Sequence, residues 1–179
     1  MENPRGIPGG FLHILSPVMD MKKRGSWKTY LFWIALTLAV GGLSALLTRE
    51  GTEAYATTMV KPPLSPPGIV FPIVWTILYV LMGISMARVR LARPHPLQER
   101  GTLLYVVQLA FNFCWSIYFF NLAAYGFALA WLAVMWGLIL AMVLTFRQVD
   151  KTAAYLQIPY LIWVAFAGYL NAGVWLLNG

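Results

Sequence analysis

Acidic side chains are scarce in this chain of 179 residues: Asp and Glu together number six, against thirteen Lys and Arg. None of the six stands at the centre of an apolar run. That leaves no carboxylate at membrane depth to couple movement of a solute to protons or sodium, and it excludes an ion-coupled carrier. Histidine is limited to His13 and His95, the first in the N-terminal stretch and the second in a loop, and Cys114 is the single cysteine. No metal cluster can be assembled within a helical bundle from these residues. No Ser–His–acid or Cys–His arrangement can be built either, and no internal disulfide. Cys114 lies inside an apolar stretch and reads as a small buried side chain.

What the chain has in excess is apolar surface. Hydrophobic residues make up 60% and charged residues 11%, whereas a soluble domain carries about a quarter charged residues; the mean hydropathy is +0.68. The apolar residues fall into five runs, at about 30–48, 68–87, 103–121, 125–146 and 153–177. Each is near the twenty residues that cross about 30 Å of hydrocarbon at 1.5 Å per residue. None alternates polar and apolar positions as a barrel strand must, so satisfying the backbone in lipid leaves helices. The predicted fold is an all-α integral membrane protein, a single bundle of five transmembrane helices over 29–179. A flexible basic tail, 1–28, precedes it, with a short interfacial helix around 11–15. The first run is longer than a signal-peptide core and no small-x-small cleavage site follows it, so it reads as a retained helix.

The formal charge is +7 and the pI about 9.8. The cations gather at the edges of apolar runs, as in loops that meet anionic lipid headgroups, and the partner implied is the bilayer and not nucleic acid. With the N-terminus inside, Lys22, Lys23, Arg24, Lys28, Arg88, Arg90, Arg93, Arg100, Arg147 and Lys151 share one side, and only Arg49 and Lys61 the other. The positive-inside rule then predicts a cytoplasmic N-terminus and, after five crossings, a C-terminus outside.

The longest connection, 49–67, ends in "KPPLSPPGIVFPIVWTILY". Pro62, Pro63, Pro66 and Pro67 fix φ and keep the residues before them out of helix, so they predict an extended, stiff loop that delays the second helix. Pro72 falls near that helix's first turn, where its missing N–H costs little. Polar residues in a membrane face protein or a cavity. Helical spacing places Phe71, Trp75, Tyr79, Met82 and Met86 on one face of the second helix. It does the same for Gln108, Asn112, Trp115 and Phe119 on the third, and for Trp163, Phe166, Ala167, Leu170, Asn171 and Val174 on the fifth. Singly these read as interhelical hydrogen bonds worth about 0.6–2 kcal/mol or as interfacial rings; Trp131, Trp136 and Trp175 belong to that class. Together, the stripes form an apolar cavity with a few polar anchors, as a small-ligand site requires, and flat rings favour a flat, π-rich ligand. Such a ligand, were it a tetrapyrrole, would be held by its ring and not by its metal. Ala133, Gly137 and Ala141 form a small-xxx-small seam that fits either a homodimer or packing within the monomer; Gly41 and Ala45 form a weaker one.

Three stretches carry a resemblance: "KPPLSPPGIVFPIVWTILYVLMG" at 61–83, "QLAFNFCWSIYFF" at 108–120 and "PYLIWVAFAGYLNAGVWLLN" at 159–178. In order and spacing they cover nearly all of 31–178. The chain resembles the TspO/translocator protein family, the tryptophan-rich sensory proteins once called peripheral benzodiazepine receptors. The resemblance implies a five-helix bundle, often dimeric, with a pocket beneath the first connection. It implies binding of porphyrins such as protoporphyrin IX and of isoquinoline-carboxamide or benzodiazepine drugs, with no cofactor required. It places Trp75, Tyr79, Gln108, Asn112, Trp115, Trp163 and Ala167 in the pocket wall and implicates Trp75 and Trp163 in light-dependent porphyrin breakdown. Two departures stand out. Ile69 occupies the tryptophan position of the family's "PPxWxF", and no Lys or Arg follows Lys151, so the sterol motif of the animal members is missing. Three functions are consistent with these residues: a tetrapyrrole-binding sensor or regulator, a photooxidative porphyrin-degrading enzyme, and a porphyrin or lipid transporter. In the first, Thr57 and Thr58 of the loop would close the top of the pocket.

Overall fold

A computed structural model describes the backbone from residue 9 and the side chains from residue 26 to the C-terminus. The described residues form helices and no strands. Helix α1 is Gly9–Leu47, α2 Arg49–Thr58, α3 Val70–Leu91, α4 Gln98–Ser116, α5 Tyr125–Val149, α6 Lys151–Leu156 and α7 Ile158–Asn178; Ile117–Asn121 extends α4 as a π-helical turn. Five stretches are long and apolar enough to cross a membrane: Ser26–Leu47, Val70–Leu91, Gln98–Asn121, Tyr125–Val149 and Lys151–Asn178. This is the all-α, five-span membrane bundle expected. The side chains of residues 11–15, where a separate interfacial helix was expected, lie outside the described ones; the backbone there is part of α1.

The ends of the helices follow local chemistry. α3 starts at Val70 behind a turn in which Val70 N–H donates to Pro67 O (2.9 Å). It runs past the expected 87 to place Arg88 and Arg90 in its last turn, where cations meet the negative end of the helix dipole. Asp150 ends α5 and caps α6, its Oδ1 accepting from Ala153 N–H at 2.8 Å. The fifth span breaks at Gln157, and Pro159 sits in the first turn of α7, the position where a proline is tolerated.

In the bundle α1 packs on α3, α3 on α6, α5 on both α6 and α7, α4 on α5, and α1 on α4, closing a ring. The backbone of α1 comes close to α3 at Gly83, where a Cβ would lie 2.5 Å from Ile34 Cα. Gly41 of α1 faces the Tyr79 ring so tightly that any Cβ would overlap it, so the Gly41–Ala45 seam is used inside the monomer. Ala133 and Gly137 are exposed, and a Cβ on Gly137 would meet nothing within 4 Å. The seam on α5 therefore does not pack within the monomer. Trp131 and Trp136 tie helices as expected, donating to Phe111 O (2.9 Å) and Leu161 O (3.2 Å).

One expectation is corrected. The connection 49–67 is not extended throughout: its first half is helix α2. The prolines begin only at 62, and before them Arg49, Glu53, Ala54 and Ala56 suit a helix, with Arg49 and Glu53 paired one turn apart (3.4 Å).

Candidate ligand site beneath the first connection

Above the bundle, α2 and the proline segment are fastened at several points. Asn178 at the end of α7 accepts from Val60 N–H and donates to Val60 O, both at 2.9 Å. Tyr169 Oη donates to Pro63 O at 2.8 Å. Pro62 packs against Gly173, where a Cβ would come within 2.5 Å of it. Asn121 Nδ2 donates to Leu47 O at 2.9 Å, and Gly51 allows α2 to rest on the Phe120 carbonyl. Leu64 takes φ 64°, as the third residue of a type II turn requires; Ser65 N–H returns to Pro62 O (3.3 Å).

Below this cover lies a cavity of about 470 Å³, within the range of small-molecule sites. Phe71, Trp75 and Tyr79 of α3 form one wall, Trp115 and Phe119 a second, and Trp163, Ala167 and Asn171 of α7 a third. The π-helical turn widens the α4 spiral so that Phe120 joins Phe119 at the wall; both rings pack on Tyr55 of α2 at 5.5–5.6 Å. Burial, with Tyr125 nearby, pushes the Tyr55 phenol above its ordinary pKa, so the hydroxyl stays neutral. Trp163 Nε1 is buried and finds no partner among the described residues.

Nine of the fifteen residues on the three stripes thus face one cavity, while Met82, Met86 and Val174 are buried in the core. Gln108 and Asn112 do not line it. They lie fully buried beneath it in a hydrogen-bonded chain: Tyr79 Oη donates to Asn112 Oδ1 (2.7 Å), Asn112 Nδ2 to Tyr160 Oη (3.1 Å), and Tyr160 Oη to Gln108 Oε1 (2.8 Å). They position the floor. Phe166 also stays off the wall and packs tilted against Trp163, with ring centres 5.6 Å apart. Ile69, the departure in the proline motif, is 67% exposed and does not line the cavity. Thr57 and Thr58 do not close the top, because their hydroxyls bond to their own helix. The top is closed by Arg49, Thr52, Glu53, Tyr55, Ala56 and Lys61, which reading the connection as extended had hidden. Tyr160 was missed too. It lies one turn before Val164, itself buried, on a face that the stripe of Trp163 and Ala167 only borders. Asn171 is anchored on both sides, accepting from Trp115 Nε1 (3.2 Å) and donating to Tyr125 O (2.8 Å). Among the described residues no group of His, Cys, Asp and Glu could hold a metal.

The fold defines a polytopic helical membrane protein with a covered, aromatic cavity. The TspO/MBR family model matches residues 33–176, and the chain belongs to that family. It is 40% identical over 147 residues to the tryptophan-rich protein TspO of Chlorobaculum tepidum, covering 81% of this chain and 92% of that protein. It is 39% identical over 154 residues to the tryptophan-rich sensory protein of Cereibacter sphaeroides, covering 85% and 92%. With the translocator protein of Bos taurus it shares 37% identity over 145 residues, 75% and 81% of the two chains.

Proposed function

We propose that this protein is a membrane receptor or sensor that binds porphyrin-type tetrapyrroles, and ligands of the isoquinoline-carboxamide kind, in the cavity beneath α2. The observation that carries this reading is the wall itself. Phe71, Trp75, Tyr79, Trp115, Phe119 and Trp163 converge from three helices, and flat ligands gain from such rings by stacking and edge contacts. The unpartnered Trp163 Nε1–H would meet an acceptor on the ligand, since a buried donor left unpaired is costly. The sensory name of the Cereibacter relative agrees with a regulatory role in tetrapyrrole metabolism or stress. The excess of cations at the end away from α2 agrees with a cytoplasmic N-terminus. The outward α5 seam is the face we assign to a homodimer.

A second reading, photooxidative breakdown of the bound ring, draws on Trp75 and Trp163 facing the same cavity, with Tyr79 and Tyr160 at 5.6 and 6.2 Å from Trp75. Titrating the purified protein with protoporphyrin IX in the dark, followed by tryptophan quenching, tests the first. Saturable quenching that weakens in Trp163→Phe is expected, and non-saturable quenching refutes it. Illuminating the same samples tests the second: bleaching should be lost in Trp75→Phe/Trp163→Phe, and unchanged bleaching refutes it.

A further inference from the structure

We propose that the Lys61 ammonium at the mouth of this cavity receives a carboxylate of the bound tetrapyrrole. The proposal rests on the tetrapyrrole reading and adds to it a polarity of insertion: ring inward, acid outward. Its basis is the distribution of charge. The formal charges on the lining are confined to Arg49, Glu53 and Lys61, all on the cover, while the depth of the cavity is ring, alkyl and neutral amide. Arg49 and Glu53 pair with each other and largely cancel. Glu50, also on α2, does not line the cavity. Lys61 forms no ion pair among the described residues. Its Nζ donates to Ala56 O at 2.9 Å and lies 5.3 Å from the centre of the Tyr55 ring, and both partners are uncharged. An ammonium has three N–H donors, so a carboxylate can be added to these contacts without displacing them.

An exposed lysine normally contributes little, because its stem must be ordered when it binds. Lys61 differs in being held in advance. Val60 before it is bonded through both N–H and C=O to Asn178, Pro62 after it is wedged against Gly173, and the carbonyl and ring fix the ammonium. Preorganisation of this kind is what turns a surface charge into affinity.

The test compares protoporphyrin IX with its dimethyl ester, in the dark and at low ionic strength, on the full chain and on Lys61→Gln and Lys61→Arg. The native protein is expected to bind the diacid roughly tenfold more tightly than the diester, the worth of one charge-assisted hydrogen bond, with the preference shrinking in high salt. Lys61→Gln should abolish the preference for the diacid over the diester; Lys61→Arg should restore it. Equal affinity for both compounds in the native protein, or a preference that survives Lys61→Gln, overturns this proposal while leaving tetrapyrrole binding intact. Failure of both compounds to bind overturns the tetrapyrrole reading itself, and the carboxylate proposal falls with it.

Discussion

Replacing Asn112 by leucine tests whether the polar chain under the cavity is a cooperative unit. Asn112 accepts from Tyr79 Oη and donates to Tyr160 Oη, joining α3 to α4 and α4 to α7. Leucine has nearly the same volume, so packing is roughly kept and two interhelical hydrogen bonds are lost. Within a membrane bundle such bonds average about 0.6 kcal/mol each, giving about 1.2 kcal/mol for the pair. Tyr79 Oη is then left with no acceptor in a core where its residue is 8% exposed, which adds about 1–3 kcal/mol. The expected loss is about 2–4 kcal/mol. Tyr160 still donates to Gln108, so the far end survives. Tyr79→Phe alone should cost about 1.5–3.5 kcal/mol, since it removes the same bond and orphans a buried amide oxygen. The double variant Asn112→Leu/Tyr79→Phe has no orphan at either end, and it should be at least as stable as Asn112→Leu alone. The assay is reversible unfolding of the detergent-solubilised protein in SDS, followed by circular dichroism. A double variant whose loss equals the sum of the single losses within about 0.5 kcal/mol would refute the chain as a unit and reduce it to separate contacts.

Three further outcomes follow from the same geometry. Burial tends to raise the Asp150 carboxyl's pKa, but the Ala153 N–H and Arg88 outweigh it and hold the value below the ordinary one. The folded pKa is thus depressed, so its stabilisation is present above the unfolded value of about 4 and lost as pH falls through the folded one. Asp150→Asn should cost about 1 kcal/mol at pH 7, discounted for partial exposure, with the gap to the native protein closing in unfolding measured at pH values below the ordinary carboxylate range. Gln157→Leu should be neutral or stabilising by about 1 kcal/mol in the same assay, because neither amide atom of this fully buried residue has a partner among the described residues and an apolar replacement removes that cost; a loss above about 2 kcal/mol would show the amide to be satisfied. Gly83→Ala should destabilise by about 1–3 kcal/mol and weaken ligand binding, since the new Cβ meets the backbone of Ile34 and only a shift of α1, which lines the cavity, relieves it; unchanged unfolding would refute that contact.

What could be read from the sequence, and what could not, divides along one physical line. The five spans were legible because lipid admits few alternatives: a run of twenty apolar residues without charge must be a helix. The wall rings were legible because helical periodicity puts Phe71, Trp75 and Tyr79, or Trp163 and Ala167, on one face wherever the helix packs. Periodicity gives an angle around a helix, however, and not a depth along it relative to a neighbour. It therefore grouped Gln108 and Asn112 with Trp115 and Phe119 on one stripe, although the first two lie below the cavity and the last two beside it. It also assumes a constant pitch, so it had no means of bringing Phe120 to the wall beside Phe119 through a π-helical turn. The cover was the least legible part, because α2 is polar and outside the constraint that lipid imposes. Its helix is stabilised by what lies beneath and beside it, by Phe119 and Phe120 under Tyr55 and by Asn178 and Tyr169 holding the segment that follows. Those partners are more than sixty residues away in the chain. The walls belong to individual helices and follow from local pattern, whereas the mouth exists only once α2 has docked on the π-helical turn and the proline segment after it on α7. Variation at the mouth, Lys61 above all, can therefore change which ligand enters without altering the bundle that receives it.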